Sequence, residues 1–411
     1  MNRALRAGVI TAILILALVL RIGEVERTST YRPINDAGSY LTLASEIAHT
    51  GDYSLSHNPG SGAGGTKGPS AYFAPGYPYF LAAVDVLDGH EVRRDGAIPG
   101  ARIAQAVLGT ITVALVGLVA LELLGEVAGL IALALAAVYP VLIGLSATLV
   151  AENLLAPLVL AAVWRKPGRS LAAPGLLILA TALTVVPWTI RNEIVMHRFI
   201  PVSDETGITL VGTYNPASAA NRQLPYKWRI FYGIPGERPL IRQASHLTEP
   251  QIGDKLQHQA LQYISDHPTA PLAAGWHNTL RLFELEGSYA WQASASAISE
   301  PISVARTGVF SFWVLCLLAL AGAFTRLVSA APKWIWGVPL LLALSVVVVN
   351  VETPRFRAPV DPFLILLASA GLATAAGWLT RRLRRAPVVG EARGSVPARP
   401  AELVEMRERL A

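Results

Sequence analysis

A single cysteine in 411 residues, Cys316, leaves no partner for a disulfide and no thiolate cluster for a metal. Charge is scarce too: Asp, Glu, Lys and Arg make up 15% of the chain and apolar residues 53%. With a mean hydropathy of +0.44, that is too apolar for an ordinary soluble domain and predicts an all-α polytopic membrane protein. No internal repeat of fixed period is visible, and no GxxxxGK[ST] stretch offers a phosphate cradle. The formal charge of +6 does not call for nucleic acid. The basic residues gather at the ends of apolar runs and in the RRLRR stretch (Arg381 to Arg385), where they set membrane orientation.

A membrane helix needs about 20 mostly apolar residues, and eight stretches qualify: Ala7–Ile22, Ala101–Leu124, Val127–Leu145, Thr148–Trp164, Leu171–Trp188, Val304–Thr325, Trp334–Val349 and Val360–Thr380. The start, MNRALRAG before VITAILILALVL, lacks a small-x-small cleavage site and reads as an uncleaved first span. With the N-terminus cytoplasmic, WRKPGRS (Trp164 to Ser170), the Arg326–Lys333 turn and the RRLRR tail all fall inside, as the positive-inside bias requires. Both termini are then cytoplasmic. Residues 1–380 form one transmembrane domain with external segments 23–100 and 191–301, and 381–411 is a basic, loosely ordered tail. Neither external segment alternates like strands. LTEPQIGDKLQHQALQYISDHP and APLAAGWHNTLRLFELEG read instead as amphipathic helices.

The chemistry gathers on that outer side. In RPINDAGSYLTLASEIAHTG, Asp36 precedes apolar positions Tyr40, Leu43, Ala44 and Ile47, a helical face. Asp36 is therefore open between an N-cap and a functional carboxylate. A Gly-rich link, Asn58 to Phe73, and the APGYPYF block follow; Tyr40, Lys67 and Tyr77 are the candidate substrate contacts there. Glu152 lies at the edge of an apolar run, a costly place for an acid and by default a functional one. Arg355 and Arg357, in NVETPRFRAPVDP, sit in an external loop against the orientation rule, as do Arg191 and Arg102 at neighbouring span ends. They bind either lipid headgroups or a substrate phosphate. Carboxylates and guanidinium groups together suit one reaction: a carboxylate takes the proton of an acceptor hydroxyl as it attacks an anomeric carbon, and arginine stabilises the departing phosphate. No residue cluster has metal-ligand spacing, and His49 and His57 read as solvated; no cofactor is certain, and a divalent cation stays open.

The ordered set NDAGSYLTLASEIAHTGDYS, APGYPYFLAAV, ARIAQAVLGT, YPVLIGLSATLVAENLL, VVPWTIRN, YISDHP and RFRAPVDPFLILL resembles the GT-C membrane glycosyltransferases. The similarity is to the bacterial branch with the lipid A aminoarabinose transferase, the protein O-mannosyltransferases and the Rgt-type enzymes. It runs from about Arg21 to the last apolar run. The resemblance implies that Asp36 matches the catalytic acid of the first external loop, Glu152 a second acid, and Arg355 and Arg357 the basic motif before the last helix. It also implies a polyprenyl-phosphate sugar donor, a lipid, glycan or protein acceptor, and a bacterial inner membrane. One departure stands out. Family members carry further spans between the Glu152 and VVPWTIRN motifs, where this chain has only WRKPGRS and one candidate helix. The alternatives are a transporter or flippase for lipid-linked sugars, or an inactive shortened member. A transporter would place polar residues at mid-membrane, whereas these gather on one face.

Overall fold

The computed structural model describes residues 2–56, 65–88, 99–164 and 185–385. Among them the chain runs α1 (Arg3–Arg27), α2 (Asp36–His49), α3 (Gly76–Asp88), α4 (Pro99–Leu124), α5 (Glu126–Val138), α6 (Pro140–Ser146) and α7 (Glu152–Trp164), then α8 (185–196). It continues through α9 (Thr206–Thr213), α10 (Pro216–Ala219), α11 (Arg238–Gln243), α12 (Glu249–Asp266), α13 (Ala270–Leu282) and α14 (Ser288–Ala297). The last four are α15 (Ile302–Ala323), α16 (Arg326–Ala330), α17 (Trp334–Val347) and α18 (Asp361–Arg385). No strand occurs among the described residues; Lys67 and Thr248 form an isolated parallel bridge. The helical class read from composition therefore holds.

The span count does not. Four helices are long and apolar enough to cross a membrane: α1, α4, α15 and α18. The pair α5–α6, bent by 53°, makes a fifth if taken as one broken span. Eight is too many for the described residues. Helix α7 has 13 residues, with Pro157 inside it, and α17 has 14. At 1.5 Å per residue each rises only about 20 Å, short of a hydrocarbon core of about 30 Å. The run Leu171–Trp188 lies mostly outside the described residues, as do 165–170, 58–64 with His57, and the tail from 386.

The α5–α6 bend has a local cause and a distant prop. Pro140 cannot donate, so the ladder stops there and the last carbonyls of α5 lose their intrahelical donors. Arg21 of α1, fully buried, supplies them. Its guanidinium donates to Ala136 O and Ala137 O at 3.3 Å each and to Ala17 O at 3.0 Å. Close approach elsewhere depends on missing side chains, as is usual between membrane helices: a Cβ on Gly322 of α15 would collide with the Leu367 carbonyl of α18.

The chain divides into two compact units, 1–373 and 374–411. The first holds two main apolar cores. One joins α1, the spans and their short neighbours, with Val113, Val116, Leu133, Leu145, Phe363 and Leu366 buried in it. The other joins the amphipathic helices, with Leu43, Tyr72, Ile208, Phe231, Ile252 and Leu256 at its centre. Helix α12 starts with a capping box between Thr248 and Gln251; of the face expected from Ile252, Leu256, Leu261 and Ile264, the first two are buried and Ile264 partly so, while Leu261 is exposed and Ala260 is buried instead. Of the second unit, Arg382 stacks on Trp378 at 4.2 Å.

Candidate functional site

Asp36 is the first residue of α2, but it does not cap that helix. Asn35 holds the cap position, at φ +51°, and spends its amide on Ala297 O at 2.9 Å. The Asp36 carboxylate turns away from the helix backbone and accepts from Arg355 Nη1 at 2.6 Å through Oδ2. Glu152, in the first turn of α7, accepts from Arg355 Nε at 2.9 Å through Oε1. Its second oxygen is buried without a donor. One guanidinium thus joins the two acids singled out in the sequence. Of its five N–H groups these bonds use two.

Arg355 and Arg357 do not act as a pair. They lie two apart in a 3-10 turn, Arg355–Arg357, and three residues per turn send positions i and i+2 to different sides. Arg357 is buried away from the acids of the site. It bonds Glu284 at 2.9 Å, Asp361 at 3.0 Å and the Leu282 carbonyl at 3.1 Å, and lies 3.5 Å over the Phe312 ring. Its charge is met by two carboxylates of the protein, outside the cleft at Asp36.

The other two arginines are also tied to the protein. Arg191 donates to Ser70 O at 2.7 Å and Tyr53 O at 3.0 Å and stacks on Trp188 at 4.9 Å, holding the segment before α3 against α8. Arg102 bonds Ala147 O at 2.8 Å and Thr28 O at 3.0 Å over the Tyr31 ring. Tyr40 is buried between Phe73 and Tyr77, with ring centroids 4.5 and 4.8 Å away. Tyr77 accepts from Gln105 at 2.7 Å. Lys67 is exposed, with its backbone N–H on Leu247 O at 2.9 Å. These three support the site from behind or lie outside it.

A cleft of about 380 Å³ opens at Asp36 and Arg355, where α2, α9, the 226–232 segment, the end of α17 and the Arg355 turn meet. Its wall adds Glu205, Glu352, Trp228, Tyr232, Tyr72 and Phe356. Lys227 pairs with Glu352 at 3.3 Å. The mixture of carboxylates, one guanidinium and aromatic faces suits a polar ring-shaped ligand bearing a charged group.

Glu205 is the residue that sequence reading missed. It occupies the N-cap position of α9, yet its side chain makes no cap hydrogen bond. Thr209, one turn on, lines the same cleft, so the face carrying i and i+4 points into it. Burial, reinforced by Asp36 and only partly offset by Arg355, pushes its carboxyl up to about 8. The position of α9 is fixed by contact without side chains: a Cβ on Gly207 would collide with the Gly253 carbonyl of α12. Its local signal, an acid ahead of a short helix in SDETG, is the same as an ordinary cap. Among the described residues no group of three or more His, Cys, Asp or Glu side chains could hold a metal ion.

No family model, curated protein or solved structure matches the chain.

Proposed function

We propose that the chain is a glycosyltransferase that moves a sugar from a polyprenyl-phosphate donor to a hydroxyl of a cell-envelope lipid, polysaccharide or protein. The reaction is an inverting single displacement at the outer face of a bacterial inner membrane, with both termini cytoplasmic. The observation that carries this reading is Arg355, held between Asp36 and Glu152 at the wall of a 380 Å³ cleft. The resemblance of the quoted motifs to GT-C glycosyltransferases and the apolar helices support it.

The acceptor oxygen attacks the anomeric carbon, and its proton passes to Asp36. The bond from that carbon to the phosphate oxygen breaks, and the electron pair leaves with the polyprenyl phosphate. Arg355 meets the charge that develops there. Arg355 is bonded to both acids, so an incoming phosphate competes with Asp36 for the guanidinium. Donor binding thereby loosens Asp36 from its partner and frees its carboxylate to take the acceptor proton. Glu152 keeps Arg355 in position from the other side.

Mass spectrometry of glycolipids and glycoproteins from cells with and without the protein tests this reading. A sugar mass that disappears with the protein names donor and acceptor together. Asp36→Asn keeps size and removes basicity; full transfer by that variant in membranes supplied with donor lipid refutes the assignment. Flipping of a labelled polyprenyl-phosphate sugar in vesicles, without acceptor modification, would favour transport.

A further inference from the structure

The ionisable groups in and beside the cleft do not balance. Asp36, Glu152 and Glu352 face Arg355 and Lys227, three acids against two bases, before Glu205 is considered. An ionised Glu205 in the same wall would leave two surplus negative charges where a phosphate has to enter. Like charges in a partly desolvated cleft repel. A neutral Glu205 cuts that surplus from two to one and spares an incoming phosphate one repulsion.

Two observations select Glu205. Asp36 and Glu152 each hold a direct bond to a guanidinium, and Glu352 is paired with Lys227. Glu205 forms no ion pair among the described residues, lines the cleft, and does not cap α9 although it stands at the cap position. A neutral carboxylic acid presents an O–H donor, which an ionised one lacks.

We propose that Glu205 is a phosphate-binding residue of this cleft: a protonated carboxylic acid that donates a hydrogen bond to the phosphate of the lipid-linked donor, beside Arg355. The inference rests on the glycosyl-transfer reading for the identity of the donor, but not for the phosphate contact. The proton stays on Glu205; no bond to it breaks during transfer. Above about pH 8, where Glu205 ionises, the donor is lost and a repulsion takes its place. Phosphate binding then weakens through that range, which lies above the second pKa, about 6, of a phosphate monoester such as undecaprenyl phosphate.

The test is binding of undecaprenyl phosphate to the full-length protein in detergent, read by tryptophan fluorescence between pH 7 and 9.5. The wild-type Kd should rise about tenfold across that range, the size of one pKa unit of coupling. Glu205→Gln keeps a neutral donor, so it should bind like wild type at pH 7 and stay flat to pH 9.5. Glu205→Ala should bind more weakly at pH 7 and also stay flat. A flat wild-type profile, the same rise in Glu205→Gln, or no binding by wild type overturns the proposal. The wild-type profile decides alone if the variants do not fold. Transfer assays separate the two readings. A wild type that transfers sugar with a flat Kd keeps glycosyl transfer and removes Glu205. One that shows the pH step and transfers nothing keeps Glu205 as a phosphate ligand and removes glycosyl transfer.

Discussion

Arg355 donates to Asp36 across 319 residues of sequence, at 2.6 Å. The same guanidinium reaches Glu152 across 203 residues, at 2.9 Å. A lysine keeps the charge but has one nitrogen and cannot serve both acids with a rigid fork. Arg355→Lys should therefore lower kcat for transfer by about a hundredfold or more, the range seen when one transition-state donor is removed. Activity within threefold of wild type would mean that the fork has no part in the reaction.

Arg357 should behave in the opposite way. Replacing it by methionine leaves Glu284 and Asp361 buried without their cation, and breaking a buried pair from one side costs about 3–5 kcal/mol. Thermal unfolding in detergent should show a large loss of stability for Arg357→Met. Fluorescence titration should show undecaprenyl phosphate affinity unchanged at temperatures where the variant is folded. A stable variant with lost affinity would restore Arg357 to the phosphate site.

Gly207→Ala tests how the cleft wall is held. The added methyl meets the Gly253 carbonyl, and backbone cannot step aside as a flexible side chain can. Helix α9 must shift from α12, and Glu205 moves with it. We expect a destabilisation of about 1–3 kcal/mol, as for other overpacked contacts, together with weaker donor binding. Thermal midpoints and the same binding titration check both parts.

Stability should fall as pH rises. Burial raises the carboxyls of Asp204 to about 6, Glu249 to about 7, and Glu205 and Glu300 to about 8. In the unfolded chain such groups titrate near 4. A folded pKa above the unfolded one means that the folded state holds the extra proton, so stabilisation is complete below about pH 4 and is lost as pH passes up to 8. Glu249 accepts from the Ala71 N–H and the Ser70 hydroxyl at 2.7 Å each, and a glutamine can meet both. Glu249→Gln should therefore show a shallower fall of thermal midpoint between pH 5 and 8 than wild type. Equal slopes would contradict the raised carboxyl.

The helical class and the amphipathic helices are legible in the residue pattern, and Asp36 and Glu152 stand out there as candidates. Helical periodicity and burial of one face are local properties, and α2, α12 and α13 form where their spacing places them. Glu152 is legible because an acid in an apolar run is costly, whereas Asp36 stands out only through its place on the outer side, the nearby arginines and the family resemblance. Hydropathy over-counted the spans, since an apolar run does not show where Pro140 breaks a helix or that α7 and α17 stop after 13 and 14 residues. Only the tertiary structure decided which side chains meet. Arg355 and Arg357 are equivalent on paper, and a tight turn sends one to the cleft and the other to Glu284 and Asp361. Asp36, open between a cap and a functional carboxylate, becomes a partner of Arg355, and Glu205, which has the local look of a cap, lines the cleft instead. A charged group takes its role from the charges and burial around it, and packing can bring those neighbours from distant parts of the chain, as it brings Arg355 to Asp36.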